Sequence, residues 1–154
     1  MNGMKLYRIA HNLYRYKVPL IPKIIQRIIY IVFNAHIPYN ASIGRGTILG
    51  YGGMGIVIHT NAEIGESCMI LQQVTIGTNV PFFDKSKAYP VPKIGNNVYI
   101  GAGAKILGGI SIGDGSVIGA NTVVTKDVPA YSLVLGVPGR IVKKIDNTAI
   151  IKND

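Results

Sequence analysis

A six-residue period runs through most of this chain, and no other feature restricts its fold as much. Stepping by six from Ile58 lands on Ile64, Ile70 and Ile76. Stepping again from Ile94 lands on Ile100, Ile106, Ile112, Ile118, Val124 and Ala130. Four residues beyond each of these, a second series reads Ala62, Cys68, Val74 and Val80, then Val98, Ala104, Ile110, Ser116, Thr122 and Val128. Upstream, Ile37, Ile43 and Leu49 keep the same beat. A helical face recurs every 3.6 residues, so this period is not one helix face. A β-sandwich would alternate every second residue with variable spacing between strands. A fixed six describes one short strand and one tight turn, with one branched side chain inward per strand. Three such units close a triangular coil of roughly 18 residues, and successive coils stack their strands in parallel about 4.8 Å apart. The fold class this predicts is all-β, a parallel β-helix. Gly follows the inward residue at Gly65, Gly77, Gly95, Gly101, Gly113 and Gly119, and Gly or Asn near each corner is expected to accept positive φ.

The period fails twice. Leu49 and Ile58 are nine residues apart instead of six, across Gly50-Tyr-Gly-Gly-Met-Gly55. Ile76 and Ile94 are 18 apart, which leaves twelve extra residues in a stretch, 78–93, rich in Pro, Lys and Tyr. A regular coil has no use for such an excursion, and inserted loops in repeat proteins tend to lie on the functional face. The stretch is therefore expected to be an arm that builds a binding site.

Residues 1–36 differ from the rest. They hold Lys5, Arg8, Arg15, Lys17, Lys23 and Arg27 and no acid, within a chain of formal charge +9. Leu6, Ile9, Leu13 and Tyr16 fall on one helical face and predict a first helix. Val18-Pro-Leu-Ile-Pro22 stops it, and Pro22 suits the start of a second, with Ile24, Ile25, Ile28, Ile29 and Val32 inside. The organisation expected is a helical cap at 1–36, a β-helix at 37–145 with a loop at 78–93, and a tail at 146–154. Two roles fit the basic helices, and they are not exclusive: closing the open end of the coil, and peripheral contact with an anionic membrane surface. The apolar run Ile24 to Phe33 contains Arg27 and falls short of the roughly 20 residues a span needs. No signal peptide is expected at the N-terminus, and the single cysteine, Cys68, fits a reducing compartment. The basic charge points to anionic partners, but no nucleic-acid recognition motif accompanies it, and nucleic acid is not expected.

Few residues offer chemistry. There is no clustered His/Cys set for a metal, no serine-nucleophile motif and no phosphate-binding Gly-rich loop with Lys. Of three histidines, His11 on the first helix and His36 at the helix-to-coil junction read as structural. His59 stands where other coils have Gly, between the two breaks, and is expected to point outward from a column shared with Gly77 and Gly95. Ala102 and Ala120, 18 apart, stack on one face and would leave a groove for an elongated ligand. Lys126 and Arg140, with Lys143 and Lys144 after them, supply cations for phosphates at the C-terminal end of the same region.

The repeat, together with Ile118-Gly-Ala-Asn-Thr-Val-Val-Thr-Lys-Asp-Val-Pro129 and Gly136-Val-Pro-Gly-Arg-Ile141, resembles the hexapeptide-repeat acyltransferase superfamily over Ile37 to Ile145. Ile70-Leu-Gln-Gln-Val-Thr-Ile-Gly77 and Gly101-Ala-Gly-Ala-Lys-Ile-Leu-Gly108 bring it nearest the serine-acetyltransferase-like group. The resemblance implies a left-handed β-helix, a homotrimer with sites between subunits, a cytoplasmic location, which for this chain extends to the inner face of the membrane, acetyl-CoA as co-substrate and no metal. It implies contact with acetyl-CoA at Gly77, Ala102, Ala120, Thr125, Lys126 and Arg140, and with the acceptor at Tyr51 and Gln73. Where a serine acetyltransferase carries an Asp-His pair, this chain reads Gly50-Tyr51, and where the arm histidine stands it reads Val91. Tyr51 to His59 resembles short O-acetyltransferases of capsule, lipopolysaccharide or exopolysaccharide assembly. The expected acceptor is therefore a sugar hydroxyl, with serine as the alternative and a non-catalytic scaffold as a third reading. His59 is expected to be the general base, with Glu63 close in sequence but on another side.

Overall fold

A computed structural model describes residues 2–80 and 89–145. Residues 81–88 of the arm and the tail at 146–154 lie outside these. Two helices open the chain, α1 (Gly3–Arg15) and α2 (Ile21–Phe33). Among the described residues thirteen short strands of a coil follow, with one antiparallel strand closing them. β1 (Ser42–Ile43), β4 (Glu63–Ile64), β7 (Lys93–Ile94) and β10 (Ser111–Ile112) form the first sheet. The second holds β2 (Ile48–Leu49), β5 (Met69–Ile70), β8 (Tyr99–Ile100), β11 (Val117–Ile118), β13 (Ser132–Leu135) and the antiparallel β14 (Arg140–Lys144). The third holds β3 (Val57–Ile58), β6 (Thr75–Gly77), β9 (Lys105–Leu107) and β12 (Val123–Val124).

Register explains the period. Ile70 pairs with Ile100 and Ile100 with Ile118, so like side chains stack in ladders down the coil axis. Ile58, Ile70, Ile76, Ile100, Ile106 and Ile118 are all fully buried. The second series fills the corners of the same core, from Ala62 and Cys68 to Thr122 and Val128, except Val80 at the start of the arm, which is only partly buried.

Gly or Asn near the corners accepts positive φ, at Gly46, Asn97, Gly103, Gly115 and Asn121, with Ser67 at the equivalent position, two residues after the glycine that follows each inward residue. The column Gly44, Gly65, Gly95 and Gly113 is glycine for another reason, the close approach of stacked coils. A Cβ at Gly65 would stand 2.4 Å from the Gly95 carbonyl oxygen, and one at Gly113 would stand 2.3 Å from the Ala130 nitrogen.

The cap forms as two helices, but their inward faces are rotated from those expected. In α1 the buried residues are Gly3, Met4, Tyr7 and Ala10, while Ile9 and Tyr16 are exposed. Polar anchors set this rotation. The Tyr7 hydroxyl donates to the Ala41 carbonyl at 2.6 Å. The Arg8 guanidinium donates to the Ile43 carbonyl at 2.6 Å and to that of Gly44. Both pin α1 across the open end of the first sheet. In α2 only Pro22 and Ile29 are buried, with Ile25 and Phe33 packed partly against the core. Ile24, Ile28 and Val32, expected inside, are exposed. None of the helices among the described residues is long and apolar enough to cross a membrane.

Candidate active site

The first break folds into a tight turn at Gly50–Gly53, with Tyr51 and Gly52 both at positive φ, 51° and 73°, and Tyr51 exposed. Tyr51 thus occupies the corner between the second and third sheets. Backbone bonds from Gly103 N–H to the Gln72 carbonyl and from Asn121 N–H to that of Ala102 place Gln72, Ala102 and Ala120 above it in one column. The two alanines present only small side chains at this corner.

His59 belongs to the other edge of the third sheet. Its N–H bonds the Ile76 carbonyl, and the ladder of β3, β6, β9 and β12 continues its column through Gly77, Leu107 and Thr125. Gly95 is not in this column. The arm shifts the sequence offset, and Gly95 lies in the tightly packed corner of the first sheet. The difference matters, because among the described residues a Cβ at Gly77 would meet nothing within 4 Å, whereas the other glycine column is tightly packed. Thr125, three strand spacings further on, stands roughly 14 Å along the axis.

Lys126 and Arg140 line one cleft of about 250 Å³ with Asp127, Gly139 and Ile141. The cleft forms because the segment after β13 folds back, Gly139 N–H bonding the Val123 carbonyl at 2.7 Å. Thr125, Lys126 and Arg140 thus gather at the far end of the His59 edge. Ala102 and Ala120 lie across the third sheet from them, on the opposite corner, so one chain does not assemble all the expected donor contacts in a single groove. Gln73 is exposed at φ 61°, and its carbonyl accepts from Lys105 Nζ at 2.8 Å. Its neighbour Gln72 carries the more telling feature, a buried Oε1 without a hydrogen-bond partner among the described residues. Sequence reasoning passed over it because only the corner geometry distinguishes the two glutamines.

The electrostatics around His59 are specific. The Asn61 backbone N–H donates to His59 Nδ1 at 3.2 Å, so the neutral ring in this orientation carries its proton on Nε2. Glu63 pairs with Lys93 at 3.3 Å on the first sheet, and so does not orient the imidazole. The titratable group whose charge is felt together with that of His59 is His36. It forms a parallel bridge with Val57, and its carbonyl accepts from Ile58 N–H at 2.8 Å. Burial, and secondarily the charge of His59, hold the His36 imidazole below the usual histidine range. Through that bridge His36 lies beside β3, the strand that His59 follows. The ends of the arm seat on Gly108-Gly109, where a Cβ would meet the Asn79 side chain at 3.1 Å and Pro90 Cβ at 2.6 Å. Residues 81–88, half of the expected binding arm at 78–93, lie outside the described residues. Among the described residues no group of three or more His, Cys, Asp or Glu could hold a metal.

Residues 92–126 match the family described as bacterial transferase hexapeptide (six repeats). A serine acetyltransferase of Bacillus subtilis is 38% identical over 154 residues, covering 100% of this chain and 68% of that protein. The chain belongs to the serine acetyltransferase family. A second member, from Synechococcus elongatus, is 39% identical over 88% of this chain and 54% of its own length. Among solved structures, serine acetyltransferase from Vibrio cholerae superposes with a TM-score of 0.83 at 37% identity, over 94% of this chain and 54% of that one. The enzyme from Brucella abortus in complex with coenzyme A gives 0.83 at 36%, over 93% and 55%. The chain spans between about half and two thirds of the length of the curated relatives it matches. With these neighbours, the coil is a left-handed parallel β-helix with an N-terminal helical region.

These comparisons correct the expected subgroup. Relatives at 38–41% identity over 88% or more of the chain are serine acetyltransferases, and the polysaccharide O-acetyltransferase assignment, with its sugar acceptor, does not stand. It rested on nine residues, Tyr51 to His59, whereas the family relationship runs the length of the coil.

Proposed function

We propose that this member of the serine acetyltransferase family transfers an acetyl group from acetyl-CoA to the hydroxyl of serine. The observation that carries the reading is the match to serine acetyltransferases along the whole described coil, one of them a structure with coenzyme A bound. The geometry supports a trimer with its sites between subunits. Within one chain the Ala102/Ala120 corner and the His59/Lys126 edge lie on opposite sides of the third sheet, and a neighbouring copy brings one of each into a shared groove.

In this reading the phosphates of acetyl-CoA lie against Lys126 and Arg140 and the chain of the donor runs along the column past Thr125. The thioester sits at Gly77. His59 is the base. It turns about χ2 to free a basic nitrogen from Asn61 and takes the proton of the acceptor hydroxyl, whose oxygen attacks the thioester carbonyl carbon. The backbone N–H of Gly77 or its neighbour holds the developing oxyanion. The carbon–sulfur bond then breaks, and the CoA thiolate leaves and recovers the proton from His59.

The test is CoA release, read with a thiol reagent, from purified protein, acetyl-CoA and serine. Release that depends on serine supports the proposal, and release only with saccharides sinks it. A Lys126→Gln, Arg140→Gln double variant is expected to raise the KM for acetyl-CoA about tenfold or more, since charge-assisted contacts to phosphate are among the strong ones. An unchanged KM would remove both residues from the donor site.

A further inference from the structure

Most of the net charge of this chain sits at one end of the coil. Residues 1–62 hold seven Lys and Arg and no Asp or Glu, the first acid being Glu63, within a chain of formal charge +9. Residues 63–154 carry nine Lys and Arg against seven acids and are close to balanced. The helical cap lies at the basic end, where Tyr7 and Arg8 of α1 bond the carbonyls of Ala41, Ile43 and Gly44.

The same end carries an apolar outer face. α2 buries Pro22 and Ile29, yet a second apolar stripe on it lies in solvent. Ile21, Ile24, Ile28 and Ile31 are three, four and three residues apart and so share one side of the helix. All four are exposed, Ile31 to 71%. Leu20 extends the stripe, 68% exposed and held at φ 67°, a conformation that a bulky residue adopts only under strain. Soluble monomers rarely leave such a run uncovered. Lys23 and Arg27, one turn apart, flank it, and the Arg27 guanidinium stacks over the exposed Tyr30 ring, 5.6 Å from its centroid. At the Leu20 end, Lys17 and Lys23 line a cleft of about 370 Å³ with Tyr14 and Tyr39 and no acid.

Charge decides what covers this face. Across a twofold axis the face would meet itself. That sets Lys23 and Arg27 against the same cations of a second copy, with no carboxylate in residues 1–62 to pair with them. Nor can α2 cross a bilayer: its 13 residues reach about 20 Å, short of a hydrocarbon core of about 30 Å. An anionic lipid surface satisfies both halves of the face, acyl chains for the stripe and phosphates for the cations.

We infer that this face of the cap docks the protein on an anionic lipid surface, with α2 lying in the plane of the interface. Leu20 and the isoleucine stripe enter the acyl boundary, and Lys17, Lys23 and Arg27 meet the headgroup phosphates. The docking goes beyond acetyl transfer and does not depend on which acceptor is used. In the trimer proposed above, threefold symmetry turns all three caps the same way, so three contacts act together.

The experiment is co-sedimentation of the full-length protein with vesicles of phosphatidylcholine alone or of an equal mixture of phosphatidylcholine and phosphatidylglycerol. The wild type is expected to pellet with the mixed vesicles, to stay in solution with the neutral ones, and to be released by salt. A Lys23→Gln, Arg27→Gln variant should bind the mixed vesicles at least roughly 25-fold more weakly, at about fivefold for each cation. An Ile24→Gln, Ile28→Gln variant should lose at least about tenfold, and Ile31→Gln alone serves if that pair fails to fold. A wild type that stays in solution with the mixed vesicles, or a stripe variant that pellets as the wild type does, would overturn the docking. So would a stripe variant of smaller oligomer mass than the wild type in the absence of lipid, because the occupant would then be a second copy.

Discussion

Replacing His59 by Ala should lower kcat by about 10²- to 10⁴-fold, the contribution of a positioned general base. The KM for acetyl-CoA should stay within about twofold, because Thr125 and the cleft of Lys126 and Arg140 lie three strand spacings away. His59→Gln separates proton transfer from placement. Its amide can still accept from the Asn61 N–H that holds the imidazole, yet it cannot take a proton, so it should be as slow as the alanine variant. Steady-state kinetics with both substrates varied is the measurement, and a wild-type kcat in either variant would remove His59 as the base. A second readout follows from His36. Its pKa is lowered first by burial and next by the charge of His59. Removing His59 lifts only the second cause, so the His36 titration seen by NMR should move upward yet remain below the ordinary histidine value.

The largest effect on stability is expected at the centre of the ladder. Ile100 is fully buried and pairs directly with Ile70 below and Ile118 above. Ile100→Ala removes the lost apolar contact and leaves a cavity that the coils cannot collapse, because backbone hydrogen bonds fix their spacing on both sides. The expected cost is about 2–5 kcal/mol, against about 0.5–1.5 kcal/mol for Ile100→Val. Set against a typical stability of roughly 5–15 kcal/mol for a folded domain, the alanine variant should be close to unfolding. Urea denaturation at fixed protein concentration would show it as a lower midpoint with an unchanged slope. A midpoint within error of wild type would mean that stacked ladders carry less of the stability than their burial indicates.

How much was legible in advance differs between core and site. The inward residues were readable one by one, from Ile58 to Val124, because each coil repeats the same local rule. The helices were readable as helices, yet their faces were not. Ile9 and Tyr16 look like core residues on a helical wheel and are exposed, because the Tyr7 hydroxyl and the Arg8 guanidinium find carbonyls at Ala41, Ile43 and Gly44 that no local pattern reveals. His59 was found as the residue out of place in a glycine position, but its column was mistaken by one sheet. The arm breaks the count of six, so sequence offset stopped tracking spatial neighbours after Gly77. The sugar acceptor came from the same limit, since a short local likeness outweighed a relationship spread thinly along the coil.

The sequence by itself determined the coil, its period, its two interruptions and the residues that fill it, because those follow from near-neighbour rules repeated along the chain. Only the tertiary structure decided which corners share a column, why one set of glycines packs tightly while a Cβ at Gly77 would meet nothing among the described residues, and that His36 bridges to Val57 beside β3. Those relations are set by which coil stacks on which and by where the cap is pinned. Both are long-range contacts that leave no periodic trace in the chain.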